Sequence, residues 1–392
     1  MDISSLLSRR VSEIIDRDHL AGVLKQKKKL RVKLGIDPTG TDLHLGHAVT
    51  LRKLREFQDL GHKAVFIIGD ITAMIGDPSG KDKTRQGLTE KQIKENAKHF
   101  FEQAYLILSK TNSEVHLQSE WFKKFGLKDV IHLESLVTEK QILSHETFQQ
   151  RIAKDLPFLH HETLYPLLQG YDSVAVKADV ELGAMEQKFN LLMGRTVQKA
   201  FRQAPQDIVM VQYLIGLDGK EKMSKTLNNY ISLRDSAEEM FGKVMSLPDE
   251  LIVHYLELAT DVKTEDILSM ADDLKNKSAN PRTVKSVLGL EISKLYHGQE
   301  KAVAAQDAFE KKFGKVKGEI TADFILKKSA GNYLLPDILV EGRLAASKSE
   351  ARRKIIEGAV EVGGTKIKDE SAKVHLTSGT LIRLGKRFLR IK

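Results

Sequence analysis

The sequence predicts an α/β protein whose first domain is built on a doubly wound parallel sheet. Apolar runs with the character of buried strands alternate with segments of helical periodicity, and the links between them are short, which is typical of βαβ units. After about residue 235 helical segments follow one another without strands, and from about residue 335 short strands return. Because 392 residues exceed one simple core, we predict three domains, at 1–235, 236–325 and 335–392.

The first domain is predicted to begin with a short amphipathic helix within residues 1–15. A strand at 30–37 then leads into a helix at 46–61, which has apolar residues every three or four positions. After the next strand, Thr89 stands where it can cap a helix. The predicted strands are 30–37, 63–70, 114–119, 174–183 and 207–216, and the predicted helices are 46–61, 89–108 and 186–201. The stretch at about 120–165 is predicted to be a helical insertion.

The two later domains have different patterns. Residues 236–325 contain amphipathic segments without intervening strands, which predicts a small helical domain. The last domain is predicted to be a short α+β unit. It has a capped helix at 347–358, a hairpin pattern around Gly363 and Gly364, and strands within 380–392.

The composition is that of an ordinary globular protein, with 41% hydrophobic and 29% charged residues. The chain has no cysteine, which excludes disulfides and thiolate metal sites. It contains no apolar run of about 18 residues and no signal-peptide pattern at its start. We therefore expect a cytoplasmic protein that has no membrane partner.

The net charge of +9 is concentrated late in the chain, since residues 336–392 hold 13 Lys/Arg and 7 Asp/Glu. A concentrated positive field suits a polyanion, because binding to phosphates releases counterions. A basic, well-solvated surface would also explain this charge, so charge alone leaves nucleic-acid binding open.

Two histidines, His44 and His47, stand three residues apart at the start of a predicted helix. Zinc sites need three or four ligands, and no nearby Cys, Asp or Glu completes an obvious set, so we predict no metal site. The spacing alone leaves both a core role and a ligand-binding role open. Position favours a ligand such as a nucleoside triphosphate, because helix N-termini that follow parallel strands bind phosphate. Gly46 between the histidines would let a flat ligand approach the backbone.

A second feature suited to phosphate is the loop DGKEKMSKT at 218–226, which carries Lys220, Lys222 and Lys225. Lysines on a mobile loop can meet the charge that develops on a leaving pyrophosphate. Alone, this segment could be any exposed basic loop. Together with the histidine pair, it gives one α/β domain two elements suited to phosphate.

The segments HLGH (44–47) and KMSKT (222–226) resemble the HIGH and KMSKS signatures of class I aminoacyl-tRNA synthetases, and their separation suits the compact tyrosyl/tryptophanyl subclass. The segments IGDPSGK, YPLLQGYD and ELGxxxQKFNLLMGR resemble bacterial tyrosyl-tRNA synthetases with a KMSKS-type loop. The segment SKSEARRKIIEGAVEVGG resembles the S4-type RNA-binding domain of that family. The resemblance spans essentially the whole chain.

This resemblance implies a Rossmann-like catalytic domain that makes tyrosyl-adenylate from tyrosine and ATP and then transfers the tyrosyl group to tRNA(Tyr). Mg²⁺ would neutralise the triphosphate, and positioning and electrostatics would drive the reaction without a protein nucleophile. The residues that match catalytic positions are Thr39, His44, His47, Lys81, Arg85, Lys222 and Lys225. Those that match ATP- or adenylate-binding positions are Asp37, Gly46, Gly183, Glu186, Gln187, Met223 and Ser224.

The tyrosine-binding residues implied in the same way are Asp77, Tyr165, Gln169, Asp172 and Gln187. One carboxylate and two neutral oxygens, from Asp77, Tyr165 and Gln169, suit the α-ammonium of the substrate. Asp172 would accept a hydrogen bond from the phenol hydroxyl, and phenylalanine would leave this buried acceptor unpaired. Gln187 would lie near the substrate carboxylate and the adenylate.

The chain departs from the family pattern near the pocket. Residues 183–187 are GAMEQ where the family has GGTDQ, so Ala184 adds a Cβ near the ligand. Glu186 replaces the aspartate that binds the adenylate ribose. Ala73 and Asn228 stand where glycine is usual. Two explanations compete: neutral change with compensation elsewhere, and a pocket remodelled for a tyrosine analogue or against an inhibitor.

The resemblance also implies a homodimer in which one tRNA contacts both subunits. The helical and S4-like domains would hold the anticodon side and the long variable arm of the tRNA. Lys33 stands where another bacterial branch of the family has a tyrosine. Two alternatives to a tyrosine–tRNA ligase are a paralogue with another amino-acid substrate and a non-catalytic RNA-binding paralogue.

Overall fold

The computed structural model describes residues 2–26, 28–79, 88–157, 159–313 and 322–392. The chain forms two compact units, Met1–Gln306 and Asp307–Lys392. The strands of the first unit are β1 (Val11–Ile15), β2 (Arg31–Ile36), β3 (Lys63–Ile68), β4 (Ser113–Leu117), β5 (Val180–Ala184) and β6 (Asp207–Val211). They form one sheet in the order β1-β6-β5-β2-β3-β4.

The sheet is parallel from β2 to β6, and β1 pairs antiparallel with β6 at one edge. The chain places β3 and β4 on one side of β2 and then returns to place β5 and β6 on the other side. The strand order therefore reverses between β2 and β5, and open α/β sheets bind ligands at such a point, outside the carboxyl ends of the strands. The predicted doubly wound sheet is confirmed, with one antiparallel edge strand added.

The helices of the first unit lie before, between and after these strands. They are α1 (Ile3–Ser8), α2 (Arg17–Lys25), α3 (Leu45–Asp59), α4 (Thr72–Ile75), α5 (Glu90–Ala104), α6 (Ser119–Phe122), α7 (Leu127–Glu134), α8 (Glu139–Ile142), α9 (Glu146–Ala153), α10 (Tyr165–Ala175), α11 (Lys188–Ala200), α12 (Ala237–Met245), α13 (Ile252–Ala259), α14 (Thr264–Lys275) and α15 (Pro281–His297), and α16 (Gln299–Phe313) continues into the second unit. The predicted helical insertion is present as α6 to α9. In the part of the chain that the structure describes, no helix is long and apolar enough to cross a membrane.

The prediction of a helix across residues 1–15 is wrong in its second half. Helix α1 ends at Ser8, and Arg10 has a φ of 62°, a left-handed conformation that interrupts a helix. The buried Arg10 side chain pairs with Glu56 and donates to the carbonyl of Leu258 (2.9 Å). This tertiary anchor redirects the chain into β1.

Two strand predictions are too long. Val174 lies in the last turn of α10, and β5 begins only at Val180. Val174 and Val176 are apolar and two positions apart, which imitates a strand, but Val174 is buried among helices and Val176 is buried against Val65 and Ile67 of β3. The last strand, β6, ends at Val211, and the residues after it leave the sheet to form the lysine-bearing loop.

The helices after residue 235 share one hydrophobic core with the sheet. Leu54 of α3 and Val209 of β6 belong to the same buried cluster as Tyr255 of α13 and Leu288 of α15. The packing therefore has no boundary at residue 235. The predicted division into three domains remains a proposal about which segments carry which function.

In its described residues, the second unit contains short strands and helices around its own core. Its strands are β7 (Phe324–Leu326), β8 (Gly331–Leu334), β9 (Val360–Val362), β10 (Thr365–Ile367), β11 (Lys373–Leu376), β12 (Leu381–Leu384) and β13 (Arg387–Ile391), and its helices are α17 (Leu335–Glu341) and α18 (Lys348–Ile356). The sheets have the orders β10-β9-β12-β13-β7 and β11-β8. Ser347 caps α18 by accepting from the Glu350 N–H, as predicted. Gly363 and Gly364 turn the predicted hairpin between β9 and β10 with φ of 57° and 83°.

Candidate active site

The carboxyl ends of β2 to β6 border a cavity of about 1110 Å³. Asp37, Gly69 and Gln118 follow β2, β3 and β4 into its wall, and Ala184 and Gln212 lie at the ends of β5 and β6. The N-terminus of α3 and the lysine-bearing loop supply other parts of the wall. The cavity therefore lies at the switch point of the sheet, where a ligand was expected.

Every predicted site residue that the structure describes lines this cavity. These residues are Asp37, Thr39, His44, Gly46, His47, Asp77, Tyr165, Gln169, Asp172, Gly183, Glu186, Gln187, Lys222, Met223, Ser224 and Lys225. Lys81 and Arg85 lie outside the described residues. The cavity thus joins segments that are far apart in the sequence, while the role of each residue remains a proposal.

The two histidines cap helix α3. Nδ1 of His44 accepts from the Gly46 N–H (3.1 Å), and Nδ1 of His47 accepts from the His44 main-chain N–H (3.2 Å). Since each Nδ1 is an acceptor, the ring proton lies on Nε2, where it can be donated. A Cβ on Gly46 would lie 2.9 Å from the His44 ring, so this close approach requires glycine.

Both imidazoles are uncharged. Burial lowers the pKa of His44 to about 3, and the charges of Lys225 and Lys222 act in the same direction. Burial, together with His44 and the two lysines, lowers the pKa of His47 well below its ordinary value. The ring centroids are 3.9 Å apart, and both rings are available as neutral hydrogen-bond donors.

Tyr165 and Gln169 present oxygen atoms to the cavity because the protein engages their donors. The Tyr165 hydroxyl donates to Asp37 (2.9 Å), and the Gln169 side-chain amide donates to Glu181 (3.2 Å), which turns its carbonyl oxygen away from that carboxylate. Burial raises the pKa of Tyr165 well above its ordinary value, so its hydroxyl keeps its proton. With the carboxylate of Asp77, the two oxygens form an acceptor set suited to a cation.

Gln187 is held between Asp77, which also lines the cavity, and Asn190. Its Nε2 donates to Asp77 (2.6 Å), and its Oε1 accepts from the side-chain amide of Asn190 (3.0 Å). The Asp77 carboxylate also accepts from the Ser79 N–H (3.0 Å). These contacts fix both side chains at the cavity wall.

Asp172 is 2% exposed and accepts two hydrogen bonds, from Gln118 Nε2 (2.7 Å) and Trp121 Nε1 (3.1 Å). Burial raises the pKa of Asp172 to about 7, while Lys33 and the bond from Gln118 oppose the increase. Sequence reasoning missed Gln118 and Trp121. A signal existed for Gln118, a polar residue directly after a parallel strand.

The lysine-bearing loop is fastened at its base by Asn229, which sequence reasoning also missed. The buried Asn229 side chain accepts from the Ser224 N–H (2.7 Å) and donates to Asp218 (2.6 Å) and to the Lys222 carbonyl (3.3 Å). Tyr255 of α13 donates to the carbonyl of Ile215 (2.6 Å), which pairs with Lys222 across the loop. The loop is thus tied to itself and to α13.

The two lysines of the KMSKT segment contact two different segments of the chain. Lys222 forms an ion pair with Glu186, and Lys225 donates to the carbonyl of Asp42 (2.8 Å). Burial lowers the pKa of Lys225. Glu186 therefore places its carboxylate at the loop.

The structure accommodates the four other departures from the family pattern. Asn228 has a φ of 51°, a left-handed conformation that asparagine tolerates better than most residues. Ala73 is 2% exposed within α4, and Ala184 lies half-buried in the cavity wall. Met185 packs against the buried cluster that contains Leu191.

Comparison with known proteins gives two matching families. The sequence model described as "tRNA synthetases class I (W and Y)" matches residues 25–314. A second, described as "Tyrosine--tRNA ligase SYY-like C-terminal domain", matches residues 325–388.

The chain is also similar to curated proteins over almost its whole length. It is 46% identical to a tyrosine–tRNA ligase of Thermotoga maritima, with 98% of this chain and 96% of that protein covered. It is 45% identical to a tyrosine–tRNA ligase of Dehalococcoides mccartyi, with 98% and 97% covered. Among solved structures, a tyrosyl-tRNA synthetase of Archaeoglobus fulgidus complexed with L-tyrosine has a TM-score of 0.64 at 22% identity, covering 78% of this chain and 100% of that one. At this identity the structural likeness supports the fold alone.

Proposed function

The chain belongs to the class I tyrosyl-tRNA synthetase family, and from this membership we propose how its cavity carries out the family's reaction. The protein is an ATP-dependent tyrosine–tRNA ligase. It forms tyrosyl-adenylate from tyrosine and ATP, and then transfers the tyrosyl group to the 3′ end of tRNA(Tyr). One observation supports the assignment of residues: a single cavity joins a cation-accepting oxygen set, a buried carboxyl acceptor and a lysine-bearing loop.

Tyrosine binds through its two polar ends. Its α-ammonium donates to Asp77, Tyr165 and Gln169, whose oxygen atoms are oriented by the contacts described above. Its phenol hydroxyl donates to Asp172, which Gln118 and Trp121 hold in place. Phenylalanine would bury Asp172 without this partner, and the unmade hydrogen bond disfavours it.

ATP binds between the N-terminus of α3 and the loop. A carboxylate oxygen of tyrosine attacks the α-phosphorus in line, the bond to the bridging oxygen breaks, and pyrophosphate leaves with the electron pair. His44 and His47 donate hydrogen bonds as neutral rings, and Lys222 and Lys225 stabilise the growing negative charge. Thr39, Asp37, Gly46, Gly183, Glu186, Gln187, Met223 and Ser224 complete the nucleotide site. Lys81 and Arg85 are proposed from the sequence to reach the pyrophosphate.

Mg²⁺ would act as the counter-ion of the ATP phosphates. Phosphate oxygens and water suit this ion, which rarely depends on a protein cage. Among the described residues, the three side chains whose spacing could hold a metal, Asp16, His19 and Asp207, lie outside the cavity wall, so an ion in the cavity would be held mainly by the ATP phosphates. Bound to the ATP phosphates, Mg²⁺ would offset part of their negative charge.

The second unit offers a basic surface for tRNA. Arg343, Lys348, Arg352 and Arg353 are exposed in and just before α18. Phosphate contacts of this kind give affinity, while RNA shape and unpaired bases give specificity. We propose that residues 236–325 contact the anticodon side of the tRNA. We also propose that the whole reaction takes place in the cytoplasm.

The homodimer is proposed to form through the helical insertion. Leu127, Ile131, Ile152 and Leu159 there are 76%, 57%, 53% and 52% exposed. Contiguous exposed apolar patches mark protein interfaces, and we propose that these four side chains of one insertion form such a patch. Light scattering should report a dimer for the unmodified chain and a shift towards monomer for Ile131→Glu. The control Leu268→Glu, at a 59% exposed leucine of α14, should stay dimeric, and an unmodified monomer would contradict this proposal.

ATP–pyrophosphate exchange tests the activation step. We expect tyrosine-dependent exchange and far weaker exchange with phenylalanine. Exchange with a different amino acid in place of tyrosine would indicate a paralogue of altered specificity. If tRNA bound while no amino acid supported exchange, a non-catalytic RNA-binding role would replace the proposal.

A further inference from the structure

A buried ion pair lies behind the tyrosine end of the cavity and has no role in the reaction described above. Lys33 of β2 and Glu181 of β5 are directly opposite each other in the register of the two parallel strands. Lys33 Nζ is 2.8 Å from Glu181 Oε1, and the side chains are 0% and 1% exposed. Neither residue lines the cavity.

Stability is a weak explanation for this pair. Removing two charges from water opposes their mutual attraction, and well-packed apolar residues often stabilise a protein interior equally well. Both neighbouring strands are otherwise apolar at their buried positions, with Val32, Leu34, Val180 and Leu182 all buried. An apolar pair would therefore suit this position in the sheet.

The contacts of the pair lead to Gln169, a proposed ligand of the substrate ammonium. Lys33 Nζ donates to the main-chain carbonyl of Gln169 (2.9 Å) and to Ser173 Oγ (2.8 Å). The Glu181 carboxylate accepts from the Gln169 side-chain amide (3.2 Å), from Ser173 Oγ (3.2 Å) and from the side chain of Gln206. The pair thus fixes both the backbone and the amide orientation of Gln169.

The same pair also acts on Asp172, because both of its members contact the side chain of Ser173, the next residue in α10. The charged and titratable groups that act between the surrounding elements and Asp172 are Lys33 from β2, Glu181 from β5 and Tyr165 from α10. Lys33 is the cation of this set, and it favours the ionised carboxylate, whereas Glu181 opposes it. Burial disfavours the charged carboxylate and brings the pKa of Asp172 to about 7. The charges of Lys33 and Glu181 therefore influence the protonation of Asp172 near neutral pH.

We propose that Lys33 and Glu181 form a positioning and specificity-determining pair for tyrosine. Glu181 holds the Gln169 amide with its oxygen towards the substrate ammonium. Lys33 holds the Gln169 backbone and the side chain of Ser173, next to Asp172, and favours the charged form of the carboxyl that accepts from the phenol hydroxyl. This inference rests on the proposed function, because it assigns the pair to the same tyrosine site.

The test compares Lys33→Met, Glu181→Gln and the double variant by ATP–pyrophosphate exchange across pH 5.5–9. The acid limb of kcat/KM for tyrosine reports groups of the free enzyme, and Asp172→Asn identifies the part of the limb that belongs to Asp172. Lys33→Met should move that limb to higher pH, and Glu181→Gln should move it to lower pH. KM for tyrosine should rise by about 10- to 100-fold in Lys33→Met, the range for a lost hydrogen bond to a charged group, while KM for ATP stays unchanged.

Two comparisons protect this test against folding defects. The double variant keeps the network neutral, so it should fold even if Lys33→Met leaves Glu181 unpaired and unstable. It should still discriminate less well between tyrosine and phenylalanine. Arg151→Met/Glu162→Gln removes a matched buried pair, with a distance of 2.9 Å and side chains 1% and 2% exposed, and should leave both substrate constants unchanged.

The outcomes separate this inference from the proposed function. Opposite limb shifts in the two single variants support it, since a merely structural role would lower activity in both without moving the limbs apart. Unshifted limbs, or shifts of the same sign, with active unmodified protein would overturn the pair's role alone. Absent tyrosine exchange in the unmodified protein would overturn the proposed function and this inference with it.

Discussion

Truncating Asn229 to alanine should disable the lysine-bearing loop while leaving the tyrosine end of the cavity intact. The Asn229 side chain joins the two arms of the loop through Ser224, Asp218 and the Lys222 carbonyl. None of these contacts involves the acceptors proposed for tyrosine. The variant therefore separates ATP handling from amino-acid binding.

The magnitude follows from the three hydrogen bonds that Asn229→Ala removes. Two neutral bonds contribute about 1 kcal/mol each, and the bond to the Asp218 carboxylate contributes about 2 kcal/mol. Water can replace part of this at a surface loop, so we expect a loss of about 2–4 kcal/mol in the free energy that favours the ordered loop. That loss lowers the ratio of ordered to open loop by about 30- to 1000-fold.

The assay is ATP–pyrophosphate exchange with each substrate varied in turn. We expect kcat/KM for ATP to fall within that range and KM for tyrosine to change little. Hydrogen exchange should speed up for amides of the loop. Asn280→Ala is the matched control, because Asn280 caps α15 by accepting from the Arg282 N–H (2.9 Å) away from the cavity. Loss of this cap should lower the free energy of unfolding by about 1 kcal/mol and leave ATP–pyrophosphate exchange unchanged. An unchanged kcat/KM for ATP in Asn229→Ala would refute the reasoning.

Asp172→Asn should change the pH dependence of stability. The pKa near 7 lies above the unfolded value of 3.8, so the parent protein loses stability as pH rises from about 4 to 7. Calorimetry should therefore show that the Tm of the variant, relative to that of the parent, rises from pH 5 to pH 8. A Tm difference that stays constant with pH would contradict the assignment. His44→Ala should lose about 1 kcal/mol of stability, because the cap on the Gly46 N–H disappears, whereas His44→Asn should retain the Tm and still lose exchange activity; equal exchange in both variants and the parent would exclude the ring from catalysis. Ala184→Gly/Glu186→Asp should lower KM for ATP or raise turnover, because the shorter carboxylate no longer reaches Lys222 in the same way; unchanged or weaker activity would show that the GAMEQ segment is compensated elsewhere.

Local patterns were sufficient for much of the fold. The run before Asp37, the amphipathic α3 and the run before Gly69 predicted a βαβ unit, and all three elements are present. The sheet rule then located the cavity, because parallel strands place their carboxyl ends together. The histidine pair and the KMSKT segment line one cavity although about 175 residues separate them.

Features that depend on long-range pairing could not be predicted in this way. Lys33 and Glu181 meet only because β2 and β5 become neighbours in a particular register. The N-terminal strand forms because Arg10 contacts Glu56 and Leu258. These partners are distant in the sequence, so no local pattern predicts the contacts. Asn229 looked like one more polar loop residue until the loop folded back on it.

The anchoring of Arg10 sets an order of events during synthesis. Arg10 and its acceptor Leu258 are 248 residues apart, so at ribosomal speeds about 10–50 s pass between the two leaving the peptidyl-transferase centre. For most of that interval the oldest part of the chain lacks β6 to pair with, and until its end it lacks the α13 carbonyl that Arg10 contacts. The first residues made are thus among the last to settle, and a nascent chain that stalls before α13 would present chaperones with a loose leading strand and an unpaired sheet edge.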